Sequence, residues 1–235
     1  MTGIFTFHLA QMPARVSMPL LRRPPVVDGL RHAECLALMR LGAPALSPER
    51  MQLRRVAMFA RWDDEAAIEA FLTGTQGGWF GAGWHVRMTF LRRWSTVSEL
   101  SDLPPQTTRW EDDEPVVAVT LARMRLPELP RFLSWGRPVE RLVRDHPDAT
   151  LALAAVRPPR SVSTFSIWRS VRSMTDMVHG RTPAGIDHPS RHADAMTERR
   201  RRDFHREFAT YRFRPLSEHG YWNGQTGYVP WRSNL

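Results

Sequence analysis

The chain of 235 residues contains no lysine; all 33 of its basic residues are arginine. A P-loop is therefore excluded, since the Gly74–Gly78 stretch is followed by no GK[ST] and no lysine exists to reach a phosphate. There is one cysteine, Cys35. An intramolecular disulfide framework and a Cys-rich zinc site are excluded with it, and a reducing, cytoplasmic setting fits. No run approaches the ~20 consecutive apolar residues that span a bilayer. Met1–Ala10 has no basic segment ahead of an apolar run, so no signal peptide is expected. HExxH, GxSxG and a GxGxxG between strand and helix are all missing.

What is present is an ordinary globular balance, 42% apolar and 24% charged, with a net charge of +9. Such a charge is compatible with nucleic acid or with peripheral association at an anionic membrane, but selects neither. The basic residues are dispersed, and no nucleic-acid reading motif accompanies them. Nine Trp, eleven Phe and eleven Met stand out. Such side chains fill cores, and they also line large apolar pockets.

An internal repeat organises the chain. Residues 55–74 (RVAMFARWDDEAAIEAFLTG) align without a gap on residues 161–180 (SVSTFSIWRSVRSMTDMVHG). Val56 meets Val162, Phe59 meets Phe165, Trp62 meets Trp168, and Gly74 meets Gly180. Upstream, residues 33–44 resemble 148–159, and Leu9–Met12 resembles Leu121–Met124. Both halves share one grammar. An alternating strand opens each (4–9 and 116–122), and a proline-interrupted helical stretch follows (14–32 and 128–145). Two strands come next (34–40 with 53–61, and 149–156 with 162–168). A helix (63–73 and 170–179) and a closing strand (84–91 and 209–214) complete each half. That order is βαββαβ, the ferredoxin-like unit. The expected fold is α+β, with two tandem ferredoxin-like repeats forming a pseudo-dimeric α/β barrel. Residues 1–94 form the first repeat and 116–235 the second. Residues 95–115, rich in Ser, Thr, Pro and acids, form the linker. A cavity between the two sheets is the expected place for an apolar ligand.

The halves differ after the second helix. The first has a short Gly-rich loop, TQGGWFGAG, whereas the second inserts residues 181–206, with a helical pattern over 191–208. Of the nine histidines, His188 and His192 are separated by Pro189 and Ser190, a poor zinc pair. His192 falls in the first turn of the inserted helix, near Ala193 and Met196. An imidazole facing an apolar cavity suits the proximal side of a haem iron, and a core or surface histidine with a backbone partner suits the same pattern. His205 lies among Arg202, Asp203, Arg206 and Glu207, a setting expected to face solvent.

Several of these features occur together in one known family. The string Thr164–Trp168 (TFSIW), a Met-containing helix, His192 with Ala195 three residues on, an aromatic at 204, and Arg212-Phe213 before Pro215 resemble spheroidene monooxygenase. Gly220–Gly224 (GYWNG) resembles that family's Gly/Trp-containing tail. The likeness covers roughly residues 110–225 and fades in the first half, where Arg40–Gln52 lacks the family's Gly- and Trp-containing segment.

The resemblance implies a haem-dependent monooxygenase. Its substrate would be an apolar small molecule, carotenoid-like or a secondary metabolite, with molecular oxygen and a one-electron donor such as ferredoxin as co-reactants. It places the iron ligand on His192. Trp168, Arg169, Met196 and Arg212 are the further cofactor-binding candidates, the two arginines toward the propionates. Phe165, Met174 and Met177 are pocket-wall or core candidates. Two other classes stay open: another haem enzyme on the scaffold, aldoxime dehydratase-like or chlorite dismutase-like, and a cofactor-free barrel that binds small molecules. Purified protein should show no duplex DNA binding that survives ~200 mM salt, because dispersed electrostatic contacts weaken steeply with ionic strength; a filter-binding titration checks this.

Overall fold

A computed structural model describes residues 3–41, 43, 50–107, 110–181, 197–198 and 201–231. The first repeat runs β1 (Ile4–Gln11), α1 (Ala14–Arg22), β2 (Leu30–Met39), β3 (Met51–Trp62), α2 (Glu65–Thr73), a single turn α3 (Gly78–Gly81) and β4 (Trp84–Trp94). The second runs β5 (Val116–Met124), α4 (Leu129–Arg144), β6 (Ala149–Arg157), β7 (Ser161–Trp168), α5 (Val171–Val178) and β8 (His205–Gly220). The eight strands close in the order β1-β3-β2-β6-β7-β5-β8-β4. The expected barrel of two ferredoxin-like repeats is the fold observed.

The helix ends follow local chemistry. Asp64 caps α2, its carboxylate accepting from the Ala67 N–H at 2.9 Å. Ser170 caps α5 in the same way, its hydroxyl accepting from the Ser173 N–H at 3.0 Å. Gly180 leaves α5 at φ +72°, a left-handed value that favours glycine. The segment 205–208, expected to continue a helix, is instead the start of β8. Alternation decides this: Ala209, Tyr211 and Phe213 enter the barrel core at every second position, and their strand runs back to His205.

Two seams join the repeats, and they differ in length. β4 pairs with β8 from Trp84↔Gly220 to Trp94↔Thr210, whereas β2 meets β6 only at Ala37↔Val156, Leu38↔Ala155 and Met39↔Ala154.

The described side chains that face the barrel interior form one packed cluster. Phe5, Phe7, Phe59, Phe165, Tyr211 and Phe213 all point inward and are buried. Phe7 of the first repeat stacks on Phe165 of the second, with ring centroids 3.7 Å apart and planes 13° from parallel. One mouth is closed by residues 95–103, whose Val97, Leu100 and Leu103 join this core. Beneath them Glu34, 1% exposed, takes ion pairs from Arg123 and from Arg157 at 2.9 Å. The other mouth is filled by Trp222, Tyr228 and Val229. Glu218 fixes that plug, accepting from Trp84 Nε1 at 2.7 Å, the Tyr228 N–H at 2.9 Å and the Val229 N–H at 2.8 Å. The expected ligand cavity between the sheets is therefore replaced by core: the aromatic side chains that suggested a pocket fill it themselves.

Trp62 and Trp168 occupy matching places outside the barrel, each buried between its sheet and its own helices. Phe59 and Phe165 match inside it. Phe165→Ala should cost about 3–5 kcal/mol of unfolding free energy, as large core truncations do. Phe7→Ala should cost a similar amount, with the double variant less than additive because the rings touch; urea denaturation of the three variants measures this.

Candidate functional site

The interior-facing side chains pack on one another, whereas the outer faces of the sheet differ between the two repeats. In the first repeat the outer face is sealed. Cys35, Val56, Met58, Ala60 and Trp62 lie buried under Leu21 of α1, Ile68 and Phe71 of α2, and Phe80 of α3. Burial pushes the Cys35 thiol up to about 12, so it stays protonated and inert.

In the second repeat the apolar clusters formed by the described residues cover the two ends of that face. At one end Trp168 packs with Leu142 of α4 and with Val171, Met174 and Met177 of α5. Its indole Nε1 donates to Ser166 Oγ at 2.9 Å. At the other end Met124, Val162 and Phe204 pack with Phe132 of α4 and Phe208. Between them run two cross-strand rows of small side chains. One is Ala152, Ser166, Ala118, ending at Arg212; the other is Ala154, Thr164, Thr120, Thr210. Thr164 is exposed, and Ala118, Thr120, Ala152, Ser166 and Thr210 are half-buried. The repeat alignment gives the reason. Thr164 stands where the first half has Met58, and Thr120 where it has His8, and both of those are fully buried. Large side chains have been exchanged for small ones at the positions that Phe80 covers in the first half. The result is a floor four strands wide, about 14 Å from β6 to β8 at ~4.8 Å per strand.

The predicted site residues distribute as follows. Trp168 lies at one end of this floor and Arg212 on its β8 margin. Arg169 is exposed just past β7, and its backbone N–H donates to the Asp148 carbonyl at 2.9 Å. Phe165 is barrel core, and Met174 and Met177 are the inner face of α5. His192, Met196 and His188 lie outside the described residues.

His205 does not face solvent as expected. It is 4% exposed, packed against Phe132, Phe204 and Phe208, with Nδ1 3.1 Å from Asp203 Oδ1. Of its charged sequence neighbours Arg206 is exposed while Asp203 turns back onto the ring and the His205 N–H, because β8 has already begun at His205. His179 is exposed at the end of α5, its Nδ1 bound to the Thr175 carbonyl at 2.8 Å. His146 is buried, with its ring 5.0 Å from Trp168, and Nδ1 accepts the Asp148 N–H at 3.2 Å. It also lines a surface cleft of about 400 Å³ with Ser170, Arg172, Asp176 and Arg181. Among the described residues no group of three His, Cys, Asp or Glu side chains is arranged to hold a metal ion.

Sequence reasoning missed a histidine row on the opposite, first-repeat face. His8, His85 and His219 are directly opposed on β1, β4 and β8, with ring centroids 5.0 and 4.7 Å apart. The only signal in the sequence was their alternate-position placement, which means nothing until the strand register is known.

No family model and no curated protein sequence matches the chain. Solved structures do match. A crystal structure of an aldoxime dehydratase, OxdRE, in complex with butyraldoxime superposes at a TM-score of 0.54 with 8% identity, over 91% of this chain and 79% of that one. A second aldoxime dehydratase gives 0.53 and 8%, over 90% and 81%. A monooxygenase-like protein from Fusobacterium nucleatum subsp. nucleatum gives 0.41 and 8%, over 94% and 96%. None of these three is a spheroidene monooxygenase. At such identities the aldoxime dehydratase matches establish the shared barrel fold.

The histidine row makes the fold sensitive to acid. Burial, then the neighbouring His219 and Arg87, hold the His85 imidazole down at about 4. Burial, then His85 and Arg87, hold His8 well below its ordinary value. The unfolded chain takes up these protons near pH ~6.5, the folded chain only at lower pH. Stability should thus be full above about pH 7 and fall as pH drops from ~6.5 toward ~4. Urea midpoints across that range should fall less steeply for His85→Phe than for the wild type.

Proposed function

We propose that this chain is a haem-dependent monooxygenase acting on an apolar small molecule, with the cofactor lying on the outer face of the second repeat. The observation that carries this reading is the floor of small side chains, present in one repeat and filled in the other. A flat macrocycle needs such a surface: no large side chain rising from the strands, apolar walls at the ends, and a cationic margin. Ala118, Thr120, Ala152, Thr164 and Ser166 supply the first. The Trp168 and Phe204–Phe208 clusters supply the second, and Arg212 the third.

Among the described residues, Trp168 at the end wall and Arg212 on the margin fit such a group. His192, outside the described residues, is the proposed iron ligand, and Met196 a further proposed contact. Arg169 and Arg212 would face the anionic edge. Bound haem supplies oxygen activation, drawing on molecular oxygen and on a one-electron donor such as ferredoxin. The chain's own contribution is position and polarity. Trp168, held by Ser166, keeps one wall rigid, and Thr120 and Thr210 tie β5 to β8 across the floor, their Oγ1 atoms 3.2 Å apart. An apolar substrate would be admitted by the same uncovered face. The resemblance to spheroidene monooxygenase over roughly residues 110–225 supports this reading, since it is strongest in the repeat that carries the floor. A second reading, aldoxime dehydration at the same site, is favoured by the fold likeness to the two aldoxime dehydratases.

Purified protein, or protein titrated with haemin, should show the intense Soret band at one equivalent of haem. His192→Ala should abolish haem retention, while His188→Ala and His205→Ala retain it. Thr164→Trp should also abolish it without loss of fold, because Thr164 is exposed and the new ring would stand on the floor. Absence of stoichiometric haemin binding by the wild type would end the haem reading. Turnover of an aldoxime without added reductant or oxygen would select the second reading.

A further inference from the structure

On the β4–β8 margin of the floor, two guanidiniums lie over one tryptophan ring, and no described carboxylate pairs with either. Arg92 and Arg212 are directly opposed across the strands, and their Cζ atoms lie 4.2 and 4.3 Å from the ring centre of Trp94. Arg212 is 9% exposed and Arg92 is half-buried. Among the described residues neither guanidinium has a hydrogen bond or an ion pair. Other sheltered arginines of this chain differ in that respect: Arg50 has Glu140 at 2.6 Å, Arg214 has Glu114 at 2.9 Å, and Arg87 has Glu69. Burial and repulsion from Arg92 lower Arg212 to about 10.

Like charges opposed across strands destabilise a sheet, and a sheltered cation without a partner costs more than an exposed one. Trp94 explains how the pair is tolerated, since a ring face attracts guanidinium planes. Stacking also leaves the N–H edges available, and the edge of a guanidinium is the part that grips a carboxylate through two parallel bonds. Trp94 and Arg212 adjoin Thr210 and Ala118 of the floor. An anion held here would therefore be one end of a molecule whose body lies on small, largely apolar side chains.

We propose that Arg92 and Arg212, stacked on Trp94, form a carboxylate clamp that anchors by its anionic end whatever molecule occupies the floor. The proposal rests on the reading of the floor as a ligand site, but not on that ligand being haem. Two sources supply the same chemistry, a porphyrin propionate or the carboxylate of an aliphatic acid, and the test separates them. In the first arm the protein is titrated with haemin and with haemin dimethyl ester, read by Soret absorbance. In the second, cofactor-free protein is titrated with decanoate and with decanol, read by thermal shift. Both are repeated on Arg92→Gln/Arg212→Gln.

The clamp predicts, in at least one arm, a preference for the free acid of about ten-fold or more, the worth of one charge-assisted bidentate contact. The double variant should bring that preference near unity. Its cofactor-free stability should be no lower than that of the wild type, because the change deletes an opposed pair of like charges. If decanoate shows the preference and neither haemin form binds, the clamp stands and the haem reading falls. If haemin and its ester bind equally well to both proteins and decanoate does not bind, haem stands and the clamp is overturned. Retention of the acid preference in the double variant overturns it as well.

Discussion

The stack of Phe7 on Phe165 ties this molecule together. It sits where two open sheets, each with one apolar face, must cover one another. A ferredoxin-like sheet alone would leave its inner face to water, and burying a phenylalanine side chain is worth roughly 1.5–3 kcal/mol. With both sheets contributing aromatics, the interior-facing side chains pack into one core, and much else follows from that packing. The linker and the C-terminal residues lie over the mouths because apolar ends remain to be covered. Glu34 is buried with Arg123 and Arg157 because the linker closes over it. Any ligand space is displaced from the inside of the barrel to its outside.

On the outside, the two repeats present equivalent faces and pack them differently. The first repeat kept Met58 and His8 and covered them with Phe80. The second replaced them with Thr164 and Thr120 and carries the inserted segment after Gly180. This division of labour keeps a packed layer over one half and small side chains on the other. Because the barrel core is shared, the stability of the first half also supports the second.

Much of this was legible in the sequence. The gapless match of Phe59 with Phe165 and of Trp62 with Trp168 marked equivalent positions in the two repeats; that the first pair lies inside the barrel and the second outside, as three residues along a strand reverse the face, came with the structure. The strand order within each repeat came from alternation. What was not legible depended on contacts between strands distant in sequence. Aromatic residues announce an apolar space but not whether they fill it, so a cavity was expected where there is core. His205 looked solvated from its neighbours, and burial could be assigned only once β8 was known to begin there. Arg92 and Arg212 lie 120 positions apart, and their opposition depends on a register shift between Phe90 and Arg92. No local pattern reports such a shift.

The position of β8 in the order of synthesis has a kinetic consequence. This strand, the longest in the barrel at 16 residues, pairs with β5 of its own repeat and with β4 of the other. It also follows every other described strand in sequence. Until it leaves the ribosome, β4 presents an unpaired edge and the aromatic interior stays open along one side. The first repeat, although made early, therefore waits for the final segment before its sheet is complete. Contacts this remote in sequence slow folding, and unpaired edges during that interval favour association with the wrong chain. The half-finished protein is an open sheet with one half of a core, and its most exposed period is the time taken to translate the second repeat.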